Sequence, residues 1–106
     1  MPQYHFQLND GRDELMIVIE DPKFDVSGVR EFKVLLAQHW DKRIETVALD
    51  FSNVRFIDSS GIGALLGVRK RLNNDLNPLV IVNAQPAVVS IIKLLHLQRV
   101  FTLRNT

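Results

Sequence analysis

Val47-Ala48-Leu49-Asp50-Phe51-Ser52-Asn53-Val54-Arg55-Phe56-Ile57-Asp58-Ser59-Ser60-Gly61-Ile62-Gly63 is the stretch on which the fold turns. With the preceding Thr46, its first five residues form a short, nearly continuous apolar run, Thr46 to Phe51, as expected of a strand covered on both faces. Beyond Asp58 the period changes, and Ile62, Leu65, Leu66 and Leu72 mark a helix. A strand that passes through a short loop into a helix belongs to an alternating α/β architecture. Ser59 and Ser60 fall at the loop-to-helix junction, where backbone N–H groups lack internal partners and the helix dipole favours negative charge. A serine there either caps the helix, worth about 1 kcal/mol, or accepts a phosphate that a helix end tolerates. The residues alone leave both readings open.

Upstream, Tyr4 to Leu8 and Glu14 to Ile19 are strand-like runs around Asn9-Asp10-Gly11, a strong turn signal. They predict an antiparallel hairpin. Val29, Phe32, Leu36 and Trp40 predict an amphipathic helix from Val26 to Trp40, with Asp25 or Ser27 as its cap. Downstream, the helix after Asp58 is expected to run to about Asn73 and to close at Asn73-Asn74-Asp75 with Pro78. Leu79 to Val82 reads as a further buried strand. Pro86 suits a first helical turn, Val88, Ile91, Ile92 and Leu95 mark a third helix, and Val100 to Leu103 a last strand. The order β-β-α-β-α-β-α-β predicts an α/β fold with a mixed, mostly parallel sheet packed with helices.

A chain of 106 residues is expected to form one domain, residues 1–106, around one core. Its 46% apolar content is ordinary for a globular protein. Thirteen basic against twelve acidic side chains leave a charge of +1, without the basic excess of a nucleic-acid binder. The absence of cysteine removes disulfides, thiolate metal sites and thiol catalysis, and fits a reducing cytoplasm. Met1-Pro2-Gln3-Tyr4-His5 does not read as a signal peptide. Ala87 to Leu97, interrupted by Ser90, Lys93 and His96, is shorter than the about 20 apolar residues needed to span a bilayer. A soluble, cytoplasmic protein without membrane insertion is expected.

Catalytic and cofactor motifs are incomplete. Gly67 follows Gly61-Ile62-Gly63 one position too late for G-x-G-x-x-G, and a Walker Gly-Lys pair is missing. Gly63 and Gly67 read instead as places where the helix approaches its sheet closely. Ser59 and Ser60 lack the G-x-S-x-G elbow of an esterase. His5, His39 and His96, expected on the first strand, first helix and third helix, show no metal spacing. No cofactor, no metal and no enzymatic activity are expected. Lys42-Arg43 and Arg69-Lys70-Arg71 read as solvated basic clusters, the second complementing a helix C-terminus.

The runs Val47 to Val54 and Phe56-Ile57-Asp58-Ser59-Ser60-Gly61-Ile62-Gly63-Ala64-Leu65 closely resemble the signature of STAS domains, in particular the stand-alone bacterial anti-sigma factor antagonists. Phe24-Asp25 resembles the family's loop aspartate. The resemblance implies a phosphoprotein with Ser59 as acceptor, and a switch site of Asp25, Asp58, Ser60, Gly61 and Ile62. It also implies the partners: a serine kinase that doubles as anti-sigma factor, bound by the unphosphorylated form, and a PP2C-type serine phosphatase that restores that form. Two features depart from the family pattern. Asp21-Pro22-Lys23 stands where many members carry glycine, and the chain ends at Thr106 where many continue into another helix. A supporting loop of different shape and an altered partner surface are therefore expected. The same resemblance admits a partner switch with a biofilm, secretion or motility output, and a STAS subunit of a lipid-transport ATP-binding-cassette complex.

Overall fold

A computed structural model describes residues 3–72 and 79–105. The elements are β1 (Tyr4–Leu8), β2 (Glu14–Ile19), β3 (Lys23–Phe24), α1 (Val26–His39), β4 (Thr46–Asp50), β5 (Phe56–Ile57), α2 (Ser59–Arg71), β6 (Leu79–Val82), α3 (Pro86–Leu94) and β7 (Thr102–Arg104). The hairpin, the three helices and the buried strands are where their periodicities place them. The main sheet has the order β1-β2-β4-β6-β7, antiparallel at its first pair and parallel thereafter.

That order never reverses. Parallel crossovers are right-handed as a rule, so steps taken in one direction lay α1, α2 and α3 on one face of the sheet. Burial along the strands alternates accordingly. Leu15, Ile17, Ile19, Val47, Leu49, Leu79 and Ile81 are buried, while Met16, at 41% exposure, Ala48 and Val80 face outward. The expectation that the Thr46 strand is covered on both faces is thus corrected: Val47 and Leu49 face helices and Ala48 does not. A monotonic order also has no topological switch point, the place where open α/β sheets bind nucleotides.

Other boundaries differ for local reasons. The last strand begins at Thr102 because the N–H groups of Val100 and Phe101 turn back to the Leu97 carbonyl. His96 lies beyond α3, in left-handed backbone at φ 58°, where its N–H bonds the Lys93 carbonyl. α2 ends at Arg71, with the Leu72 N–H on the Arg69 carbonyl. The expected stop at Asn73-Asn74-Asp75 and Pro78 lies outside the described residues.

Two short strands were not legible in the sequence. β3 and β5 have two residues each and pair in parallel, Lys23 with Phe56 and Phe24 with Ile57. The Pro22 carbonyl extends the link by accepting from the N–H groups of Arg55 (2.8 Å) and Phe56 (3.1 Å). Phe24 is wholly buried and meets Phe32 and Phe51 edge-on, with ring centroids 5.0 Å and 5.7 Å away. Such contacts add about 0.5–1.5 kcal/mol beyond burial. They anchor the miniature sheet to the main core.

Candidate functional site

The β3–β5 register assembles the site. Because Phe24 pairs with Ile57, the next residues, Asp25 and Asp58, leave the miniature sheet side by side, and each opens a helix. Asp25 caps α1: its Oδ1 accepts from the Ser27 N–H (3.0 Å) and the Ser27 hydroxyl (2.5 Å). The Ser27 hydroxyl, the Ser27 N–H and Lys23 hold its carboxyl below the ordinary 3.8. The sequence left Asp25 and Ser27 as alternative caps; in the structure they work together.

Asp58 acts at two helices. One carboxylate oxygen accepts from the Gly61 N–H at 2.9 Å, capping α2. The other accepts from the Val26 N–H at 3.2 Å, in the first turn of α1. A single carboxylate thus meets the positive ends of both helices and ties them together, a placement that helix dipoles favour. The reading of a serine as the α2 cap is corrected. Asp58 has the extended backbone and free acceptor a cap needs, and Ser59 and Ser60 are already helical.

Both hydroxyls are therefore released from a capping role. Ser59 is exposed at the first helical position, and Ser60 is half-buried at the second. Among the described residues neither hydroxyl has a hydrogen-bond partner. Gly61 and Ile62 are buried and shape the site from beneath. A Cβ on Gly61 would lie 2.1 Å from the Phe24 carbonyl oxygen and 2.7 Å from Ile57 Cγ1. Glycine is required there because α2 starts directly over β3 and β5.

The glycines assigned close packing by sequence are the wrong pair. A Cβ on Gly63 or Gly67 would meet nothing within 4 Å, and both residues are exposed. The close approaches are at Gly61 and Gly28, the latter beneath the Tyr4 hydroxyl, which donates to the Gly28 carbonyl at 3.1 Å. In the loop that departs from the family pattern, Asp21 Oδ1 accepts from the Lys23 N–H at 2.9 Å. This Asx-type turn delivers Lys23 into β3.

Of the remaining candidates, none joins the site. His5 is paired loosely with Glu20 at 4.0 Å. His39 stacks on Phe6 with centroids 4.8 Å apart, and its Nδ1 lies 2.8 Å from the Leu35 carbonyl. No group of three metal-binding side chains occurs among the described residues. No helix there is long and apolar enough to cross a membrane. Arg71 lies over the Trp40 ring at 5.5 Å, tying the far ends of α1 and α2 together.

A mostly parallel sheet with one helical face, and a helix opened by Asp-Ser-Ser-Gly over a two-strand support, define a recognisable class. The STAS domain pattern matches residues 9–106, and the chain belongs to the STAS domain family. Among solved structures it is similar to the anti-sigma factor antagonist SpoIIAA in its unphosphorylated form: TM-score 0.73, 21% identity, 93% of this chain and 87% of that one. It is similar to a Thermotoga maritima protein provisionally described as an anti-sigma factor antagonist: TM-score 0.78, 18% identity, covering 97% and 86%. The Bacillus cell fate determinant SpoIIAA in the phosphorylated form aligns with TM-score 0.66 and 21% identity, covering 93% and 90%. At these identities the likeness is one of fold. No curated protein matches the chain by sequence.

Proposed function

We propose that the chain, as one STAS domain over residues 1–106, is a cytoplasmic anti-sigma factor antagonist that works as a phosphorylation-controlled partner switch without chemistry of its own. The unphosphorylated form binds a serine kinase that is also an anti-sigma factor, and so frees the sigma factor. Phosphorylation of Ser59 blocks that binding, and a PP2C-type phosphatase reverses the block. Asp25, Asp58 and Ser60 border the acceptor, while Gly61 and Ile62 hold it in place. The observation that carries this reading is the Ser59 hydroxyl, exposed and without an internal hydrogen bond at the first position of α2.

The switch needs only local electrostatics. A phosphate brings about −1.5 to −2 charges and is well placed at a helix N-terminus, so the fold should survive it. A partner carboxylate about 5 Å away then meets repulsion of roughly 3 kcal/mol per unit charge at an effective dielectric near 20. Weakening an interface 100-fold takes only about 2.8 kcal/mol.

The test is to incubate the chain with its cognate kinase and ATP and to map the modified residue. Phosphate on Ser59, and loss of kinase binding by Ser59→Asp, are expected. Phosphate confined to another residue, or unchanged binding by Ser59→Asp, would sink the proposal.

A further inference from the structure

Beside the acceptor runs an open groove of about 690 Å³ between α1 and α2. Its α1 wall is a continuous stripe of Val26, Val29, Arg30, Lys33, Val34 and Ala37, and Ser60 and Gly63 form the α2 side. From Val26 to Ala37 the rise of 1.5 Å per residue makes a channel about 16 Å long, three turns of a docked helix. The stripe is unusually apolar for a surface: Val26 is 71% exposed and Val34 51%. Gly63 has nothing within 4 Å of where a Cβ would be, so its missing side chain opens the α2 wall down to the backbone.

The charge along the groove has one sign. Arg30 and Lys33 are both exposed and belong to no ion pair among the described residues, and no carboxylate lines the groove. Two cations beside an apolar stripe complement an amphipathic helix with acidic residues at its edge, the helix-in-groove mode of recognition. Two isolated cations beside Asp25 and Asp58 are a poor footprint for nucleic acid, which calls for a clustered basic stripe. The groove starts at Ser60, the immediate neighbour of Ser59.

We infer that this groove is the docking site for an acidic amphipathic helix of the kinase partner. The inference rests on the switch reading above and supplies its missing half. An acidic segment seated beside Ser59 is what a phosphate on Ser59 would repel.

The experiment uses the full chain and the purified kinase that phosphorylates it. Gly63→Leu puts a side chain into the groove from a position with open space around its Cβ, and Arg30→Glu with Lys33→Glu reverses its charge. Each is expected to weaken kinase binding at least 10-fold, while Lys93→Glu with Arg99→Glu, an equal charge change elsewhere, leaves it within twofold. The thermal midpoint of Gly63→Leu should not fall, since leucine favours a helix interior. A photo-crosslinking residue in place of Val34 should capture a helical, acidic peptide of the kinase. Unchanged affinity in both groove variants, or a crosslink to a basic or non-helical segment, overturns the groove while Ser59 phosphorylation leaves the switch standing. A concentration-dependent dimer of this chain that Gly63→Leu abolishes would assign the groove to a second copy instead. A wild-type chain neither bound nor phosphorylated by any cellular serine kinase removes both proposals.

Discussion

α1 and α2 begin alike. Asp25-Val26-Ser27-Gly28 and Asp58-Ser59-Ser60-Gly61 each place an aspartate at the cap, a serine at the second helical position and a buried glycine at the third. The differences lie in what the polar groups do. Asp25 is occupied by its own Ser27, through both N–H and hydroxyl, whereas Asp58 divides its carboxylate between the two helices and leaves its serines alone. The first helical residue is valine in one and serine in the other. One start is a closed structural cap. Its near copy has an exposed hydroxyl beside a double cap, which is why the candidate switch sits on α2 and not on α1.

The largest difference between the two starts should appear at their glycines. Gly61→Ala drives a Cβ against the Phe24 carbonyl, backbone that is locked in the β3–β5 pair. A loss of about 3 kcal/mol or more is expected in urea denaturation, at the upper end of overpacking costs. Gly28→Ala meets only the Tyr4 hydroxyl, the far end of a side chain, and should cost about 1–2 kcal/mol. Tyr4→Phe removes the clashing oxygen, so the double variant should be less destabilised than the two single changes summed. Equal costs for the two glycines, or strict additivity at Gly28, would break the comparison.

The caps come next. Asp58→Ala removes bonds at two helix ends and should cost about 2 kcal/mol, against about 1 kcal/mol for Asp25→Ala. Thermal melts of the two variants should keep that order; the reverse order would show that the Asp58–Val26 link contributes nothing. Ser59→Ala should change stability by less than about 0.5 kcal/mol, because Asp58 rather than a serine caps α2. The same variant should take up no phosphate from the kinase, which separates a functional residue from a structural one. The last is a pH effect confined to the α1 start and felt only in alkali. Burial, and then the charges of Asp21, Glu31 and Asp25, push the Tyr4 hydroxyl up from 10.0 to about 12. Its contribution is complete below pH 10 and is lost as pH rises from 10 through about 12, because the unfolded chain loses the proton first. Tyr4→Phe should flatten that part of the stability profile.

The parts of the molecule that local chemistry controls were legible in the sequence. Asn9-Asp10-Gly11 between two alternating runs placed the hairpin, and Val29, Phe32, Leu36 and Pro86 placed helices to within a residue or two. The Asp58-Ser59-Ser60-Gly61 run located the junction and, through the family it resembles, singled out Ser59. Strands of two residues have no period to detect, so β3 and β5 were invisible. The glycine roles were exchanged for a related reason. Close approach depends on what lies above the backbone, and nothing in Gly63 or Gly67 distinguishes them from Gly61 or Gly28 until Phe24 and Tyr4 are in place.

By itself, then, the sequence determined the elements, their order and the chemical candidates, since propensity, periodicity and turn chemistry act over a few neighbouring residues. Tertiary structure alone decided that the helices share one face, that Asp25 and Asp58 emerge together, and that one carboxylate joins two helix ends 32 residues apart in the chain. Strand order and register are properties of pairing between distant segments. A register shifted by one residue at β3–β5 would separate the two aspartates and turn Phe24 out of the core.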